Sequence, residues 1–293
     1  MKEEKGGDMN DDKGRIARIS IRVSREELRR LRENAAASGL SVAGYLRSAG
    51  TGTLQQQKAF SSRAKRPEKG DLELMKNFNL FSSLDEEELF QSLDKIRVKK
   101  FVKNETVLIQ EDANRFMYVV LSGGVKVIRV SEEGKELLLA IHRTGDFFGE
   151  MSLIDGKAAS ASVAAMDDST IAIISKDDFF SLLYTQKKIL LSLLQTFCQR
   201  IRISNRTIEI MSHTSASQRV KMLLLMLCGK HGKKDGRDFV LSLPLTHQDI
   251  AGMTGLTRET VTKIMNELKK EGGISAFENR RIRLNGSFFA HEE

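Results

Sequence analysis

The chain has 293 residues, 40% of them hydrophobic and 29% charged, with a formal net charge of +8, the balance of a globular protein of two or three domains. No run of about 18 apolar residues offers a spanning helix, and the polar start MKEEKGGDMNDDKGR lacks the apolar stretch of a secretory signal. Two cysteines, Cys198 and Cys228, make neither a disulfide framework nor a metal site by spacing, so packed thiols in a reducing cytoplasm are expected.

The charge is spread unevenly. Residues 15–70 hold thirteen Lys and Arg against four acids, residues 71–185 hold thirteen against twenty, and residues 216–293 hold thirteen against nine. Two basic ends flanking an acidic middle suit a polyanion such as DNA at the ends, although solvated surface charge would read the same way.

Residues 1–14 are expected to be a disordered tail. RIARISIRVS then alternates cleanly, with Ala17, Ile19, Ile21 and Val23 on one face and Arg18, Ser20 and Arg22 on the other, the pattern of a half-buried strand. Ser24 and Glu27 form a capping box for a helix that Gly39 stops, and Ser41 caps a second helix. One strand and two short helices cannot bury a core alone, so the unit needs a second copy. The stretch 15–50 resembles the ribbon-helix-helix family, in particular the small accessory proteins of plasmid mobilisation. That resemblance implies a two-stranded ribbon in the DNA major groove, with Arg18, Ser20 and Arg22 on base edges. Residues 51–70 read as a basic linker closed by Pro67.

From Asp71 the texture changes. LFSSLDEEELFQSL predicts a short helix capped by Ser82 or Ser83. Short strands follow in KKFVKNETVLIQ, RFMYVVLSGGVKVIRV, KELLLAIHRTGDFFGE and ASVAAMDDSTIAIIS, with turn signals at Lys103-Asn104, Gly123-Gly124, Glu133-Gly134 and Thr144-Gly145. Such spacing predicts a β-roll or barrel over 71–186, closed by the helical KDDFFSLLYT. The cassette FGEMSLIDGKAASASVAA inside it reads as a loop that exposes backbone N–H groups to a phosphate.

Residues 187–215 carry a long helix. Leu190, Leu194, Phe197, Ile201, Ser204, Ile208 and Met211 fall at alternating steps of four and three, the seam of a coiled-coil dimer. Residues 216–293 open with the apolar helix SASQRVKMLLLMLCGKHG. Within them, Thr246 caps HQDIAGMTG, Gly255 makes a tight turn, and Thr257 caps RETVTKIMNELKKEG, a helix-turn-helix layout. Ile250, Ala251, Leu256, Val261, Ile264 and Leu268 face inward. Thr257, Arg258, Glu259, Thr262 and Lys263 are left to meet bases, and Arg280, Arg281 and Arg283 of the following hairpin to meet the DNA backbone as a wing.

Taken together, residues 71–293 resemble the cyclic-AMP receptor / fumarate-nitrate regulator superfamily, through GDFFGEMSLIDG, the heptad helix, and LTRETVTKIMNEL followed by a wing. The resemblance implies an α+β architecture of β-roll effector domain, long dimerisation helix and winged helix-turn-helix, here with the small β-α-α module in front. It implies a homodimeric transcriptional regulator, not an enzyme, that reads two-fold symmetric double-stranded DNA, with RNA polymerase as a further partner and no membrane. In nucleotide-binding members the cassette holds a cyclic nucleotide. Carried over, Gly149 and Glu150 take the ribose, with Met151 beside them. Ser160 and Ala161 take the phosphate, and Ser204 and Asn205 meet the purine. Ala159 stands where the phosphate-binding Arg is expected, which weakens cyclic AMP or any other cyclic nucleotide as the effector. Lys157 and Arg143 are the candidate substitutes. No metal is expected, two cysteines cannot hold an iron–sulfur cluster of the superfamily's kind, and His142 alone is a weak haem ligand. A constitutive DNA-binding protein, or a plasmid-maintenance or mobilisation accessory, remains the alternative.

Overall fold

The computed structural model describes residues 25–37, 65–82, 96–131, 134–276 and 281–289, with isolated positions between 42 and 46 and between 84 and 88. The strand expected at 15–23, with Arg18, Ser20 and Arg22, lies outside the described residues, as do Ser41 and Arg280. The helix expected after Ser24 is α1 (Arg25–Ala37).

Two four-stranded antiparallel sheets build the roll. One runs in the order β1 (Ile96–Phe101), β8 (Ser169–Ser175), β3 (Phe116–Ser122), β6 (Phe147–Phe148). The other runs β2 (Thr106–Leu108), β7 (Ser162–Ala165), β4 (Gly124–Val130), β5 (Glu136–Arg143). The runs FMYVVL and IAII do not alternate because β3 and β8 are buried on both faces. Tyr118, Val120, Ile171 and Ile173 face the roll interior with Phe101, Val125, Phe148 and Val163. The intervening Met117, Val119, Leu121, Ala172 and Ile174 face the helical layer, with Met75, Phe81, Phe179 and Leu193. The four expected turns each carry a residue of positive φ: Asn104 at 67°, Gly123 at 82°, Gly134 at 80° and Gly145 at 92°. Gly123 is also a close approach, since a Cβ there would lie 2.6 Å from the Asp168 carbonyl oxygen.

Three expectations shift. The linker ends sooner than residue 70: Lys65 exchanges both backbone hydrogen bonds with Val98 (2.9 and 2.7 Å), and α2 (Lys69–Lys76) opens with a Glu68–Asp71 capping box. The cap expected at Ser82 or Ser83 is Asp85, which accepts from the Glu88 amide at 2.8 Å, while Ser82 donates to the Asn79 carbonyl. Asp85 and Glu88 bond reciprocally, since the Asp85 amide also donates to the Glu88 carboxylate at 2.9 Å, a capping box. The centre of the cassette is a short helix, α3 (Glu150–Asp155), bounded by Gly149 and Gly156 in left-handed conformation.

The roll closes with α4 (Lys176–Thr185), whose N-cap Ser175 accepts from the Asp178 amide at 3.2 Å. The long helix is α5 (Lys187–Ser212), followed by α6 (Ala216–His231). A hairpin of β9 (Gly232–Asp235) and β10 (Asp238–Leu241) leads to α7 (His247–Thr254), α8 (Arg258–Lys270), β11 (Ile274–Ala276) and β12 (Ile282–Leu284). The sheet order β11-β12-β10-β9 makes the wing four-stranded, with β9 unforeseen in GKKD. Its core is not separate from the roll. Leu138, Ile141 and Met166 of the roll share one buried cluster with Leu223, Ile250, Ala251 and Val261.

Candidate functional site

The helix-turn-helix is built from its caps inward. Thr246 and Asp249 form a reciprocal capping box on α7. Gly255 ends that helix at φ 69°, and Thr257 caps α8 by accepting from the Thr260 amide at 3.2 Å. Ile250, Ala251, Val261, Ile264 and Leu268 are buried, as their spacing requires, and Leu256 packs against the same core. Thr257, Arg258, Glu259 and Lys263 are exposed. Arg258 has no ion pair among the described residues, and Lys263 only reaches Glu267 at 4.0 Å. Arg258 therefore stands uncommitted on this surface, beside the exposed Glu259 and Lys263, while Thr257 is held by its cap bond.

Thr262 is different. It is half-buried, donates to the Arg258 carbonyl at 2.8 Å, and its hydroxyl lies 2.8 Å from Nδ1 of His247. This bond ties the first turn of α7 to the recognition helix, and the sequence reading did not foresee it. Burial and the neighbouring Arg258 charge push the His247 pKa below its ordinary value. Asn266 is a second residue the pattern offered and the reading missed. It is exposed, one turn beyond Thr262 on the same face. On the wing, Arg281 is exposed, but Arg283 is committed to Asp235 at 2.7 Å and Asp238 at 3.4 Å, so it is not a free backbone contact.

The cradle of the cassette is formed by Gly149, Glu150 and α5. A Cβ on Gly149 would fall 2.8 Å from both the Phe116 carbonyl oxygen and Cδ2 of Tyr118, so only glycine lets the chain turn into α3 there. The turn is held from outside by Asn114, whose amide donates to the Gly149 carbonyl at 2.8 Å. Glu150 is 1% exposed. Its Oε1 accepts from Arg200 at 2.7 Å, and Arg200 also donates to the Phe147 carbonyl and stacks over the Phe147 ring at 4.6 Å. Oε2 of Glu150 is buried without a hydrogen-bond partner.

The sequence-predicted members divide. Ala159 is buried and clamped by its backbone, donating to Asp112 O at 2.9 Å and accepting from the Glu111 amide at 2.7 Å. Ala161 is buried, Ser160 exposed, and Met151 is 55% exposed on the outer side of α3. Ser204 and Asn205 are exposed on α5, one turn beyond Arg200. Neither candidate substitute fills the Ala159 position: Arg143 pairs with Asp167 at 2.8 Å, and Lys157 extends to solvent beside Asp155. Arg200 is the cation at Glu150, a pairing that the spacing of the seam does not reveal. Its signal was its place one turn before Ser204, on the face that meets the cassette.

Along α5 the seam is open on the single chain. Leu190, Leu194, Ile201, Ile208 and Met211 are between 38% and 67% exposed, whereas Phe197 packs partly against the roll's own helical layer. Of the two cysteines, Cys228 is packed as expected, and Cys198 is exposed on α5. His142 is buried, with Nδ1 3.8 Å from Asp146 and no hydrogen-bond partner among the described residues.

Contacts from the roll reach the helix-turn-helix directly. Lys135, in the β4–β5 turn, donates to the Gly255 carbonyl at 3.2 Å, and a Cβ on Gly252 would lie 3.2 Å from the Leu138 amide nitrogen. Lys230 of α6 stands 3.9 Å from Asp146.

Three families match the chain: the cyclic nucleotide-binding domain over residues 98–186, the Crp-like helix-turn-helix domain over 218–285, and the mobilization protein NikA family over 13–77. The chain is 28% identical over 200 residues to the cyclic AMP receptor protein of Thermus thermophilus, covering 68% of this chain and 89% of that one. It is 28% identical over 189 residues to the global nitrogen regulator of Synechococcus elongatus, covering 64% and 85%. Among solved structures, a CooA mutant from Carboxydothermus hydrogenoformans superposes with a TM-score of 0.58 at 25% identity, covering 66% of this chain and 84% of that one. No helix of the described residues is long and apolar enough to cross a membrane. With roll, long helix and winged helix-turn-helix in the expected order, the chain belongs to the cyclic-AMP receptor / fumarate-nitrate regulator superfamily of transcriptional regulators.

Proposed function

We propose that the protein is a homodimeric, sequence-specific DNA-binding regulator whose grip on DNA is set by an effector at the Glu150–Arg200 cradle. The observation that carries the reading is the exposed face of α8, where Thr257, Arg258, Glu259 and Lys263 stand above a fully packed inner face. Arg258 suits guanine, Glu259 the cytosine amino group, and Lys263 guanine or a phosphate. Arg281, with Arg280, serves the backbone. The open apolar seam of α5 supports a second copy. A dimer would present two α8 helices to two half-sites, as two-fold operators require. We propose the same domain division as the sequence suggests, except that the roll begins at Lys65.

The cradle supports an effector that carries a hydroxyl donor, because Oε2 of Glu150 is a buried acceptor with no partner. It supports a cyclic phosphate less well. A charge-assisted hydrogen bond contributes about 1.5–3 kcal/mol, so Ala159 lowers cyclic nucleotide affinity by roughly ten- to a hundredfold. Arg200 is the guanidinium that remains, and an anionic effector would draw it from Glu150. Any such exchange would shift α5 and with it the spacing of the two recognition helices. The module at 15–50 would add a second DNA grip through the tether, raising avidity without new contacts at α8.

Selection of binding sites from random DNA, with and without cyclic AMP, tests the reading. A two-fold symmetric consensus that Arg258→Ala relaxes is expected. Absence of any enriched sequence overturns it. An identical consensus and affinity with and without ligand would leave the constitutive DNA-binding protein as the reading.

A further inference from the structure

We propose that the protein has a second ligand site, for a small phosphate-bearing molecule, in the cleft between α3 and the start of α4 on the outside of the roll. The cleft has a volume of about 540 Å³ and is lined by Arg115, Phe116, Ser152, Lys157, Lys176 and Asp177, among others. It shares no residue with the Glu150–Arg200 pair. Glu150 and Ser152 are two apart on α3, so they leave the helix in different directions.

Three observations converge there. Three cations line the cleft against one lining carboxylate, Asp177. Lys157 is 3.9 Å from Asp155, but Arg115 and Lys176 have no ion-pair partner among the described residues. Second, the ten-residue helix α4 begins at the cleft with Lys176, so the positive end of its dipole adds to both side chains. Third, Ser152 lies at the floor. It is 7% exposed, and among the described residues its hydroxyl has no hydrogen-bond partner. The residue is buried but lines the cleft, so its hydroxyl can donate to an acceptor that enters from outside. A phosphate oxygen fits all three: it accepts from the hydroxyl and carries charge for Arg115 and Lys176. The Phe116 ring on the wall is half-buried and leaves apolar surface for the rest of the molecule. The depth of Ser152 favours a small ligand over a chain segment lying across the rim.

Calorimetric titration of the full chain at low ionic strength tests this with three probes: inorganic phosphate, ribose 5-phosphate and adenosine 5′-monophosphate. Saturable binding is expected, and the ranking of the probes tells free phosphate from an ester. Arg115→Ala and Lys176→Ala, both at exposed positions that leave the fold intact, should each weaken binding about tenfold or more. Ser152→Ala should weaken it severalfold. No saturable binding of any probe overturns the proposal. So does unchanged affinity in Arg115→Ala and Lys176→Ala, or an equal loss in Lys233→Ala, a cation of the β9–β10 hairpin, which would mean general electrostatics. Binding of an acidic peptide with none of the phosphates overturns it as well.

Discussion

Removing Arg200 isolates what holds the cradle shut. The side chain of Glu150 is 2% exposed, and Arg200 is the one cation paired with it among the described residues. Breaking a buried pair by deleting one partner costs about 3–5 kcal/mol, because the other charge is left without compensation. Arg200 keeps 29% of its side chain exposed, so water reaches the vacated space and about 3 kcal/mol is the better figure. The stacking on Phe147 and the bond to its carbonyl are lost in the same substitution. For a domain of this size about 3 kcal/mol is a fall in Tm of roughly 6–12 °C. Glu150→Gln in the Arg200→Ala background removes the stranded charge, and the double variant should recover most of the loss. The assay is calorimetric unfolding of the four proteins of the cycle, with coupling taken as the departure from additivity. A loss below about 0.5 kcal/mol in Arg200→Ala would refute the reasoning, since that is the value of an exposed pair. A double variant no more stable than Arg200→Ala would refute it too.

Other outcomes follow from the same geometry. Ile201→Asp and Ile208→Asp, both on the exposed seam of α5, should convert the protein to monomer in sedimentation and abolish high-affinity operator binding; a DNA-competent dimer of the double variant would exclude this seam. Gly252→Val adds methyl groups where the Leu138 backbone already stands 3.2 Å from a Cβ position. It should cost about 1–3 kcal/mol of overpacking and loosen the helix-turn-helix from the roll, visible as a larger radius in small-angle scattering. Burial pushes the His231 pKa down to about 4, with Lys230 adding to the effect. The unfolded chain therefore binds the extra proton first: stability should be full above pH 6.5 and fall as pH drops from 6.5 towards 4. His231→Gln should flatten that slope, and an unchanged slope would remove His231 as its source. Arg258→Ala should cost about 1–3 kcal/mol and relax the consensus at one base, whereas Arg281→Ala should lower affinity evenly and reduce the salt slope by about one.

What was legible in the sequence was whatever local spacing decides. The strands, their four turns, the heptad helix and the helix-turn-helix caps each depend on residues within one turn or hairpin of each other. Asn104 and the turn glycines could be read because positive φ restricts residue choice. Some misses were local, such as the Asp85 cap and the helix inside the cassette, but those that build the site join distant segments. Arg200 meets Glu150 across 50 residues, and Arg283 meets Asp235 across 48. Leu138 completes the core of a helix-turn-helix that starts more than a hundred residues later. A charged residue such as Arg200 or Arg283 shows its partner only once the fold has placed both.

The same logic reinterprets Ala159. Read locally, it is a phosphate site without its cation. In the structure the position is buried and its backbone is bound on both sides to residues 111 and 112, so the small side chain belongs to a well-packed loop and not to a vacant socket. The guanidinium the cassette lacks is supplied from α5 and directed at Glu150. An effector here would bind by displacing an internal ion pair, and its affinity would be reduced by the cost of separating that pair. That makes selectivity depend on a ligand able to satisfy both Glu150 and Arg200: a donor for the carboxylate and an acceptor for the guanidinium in one small molecule.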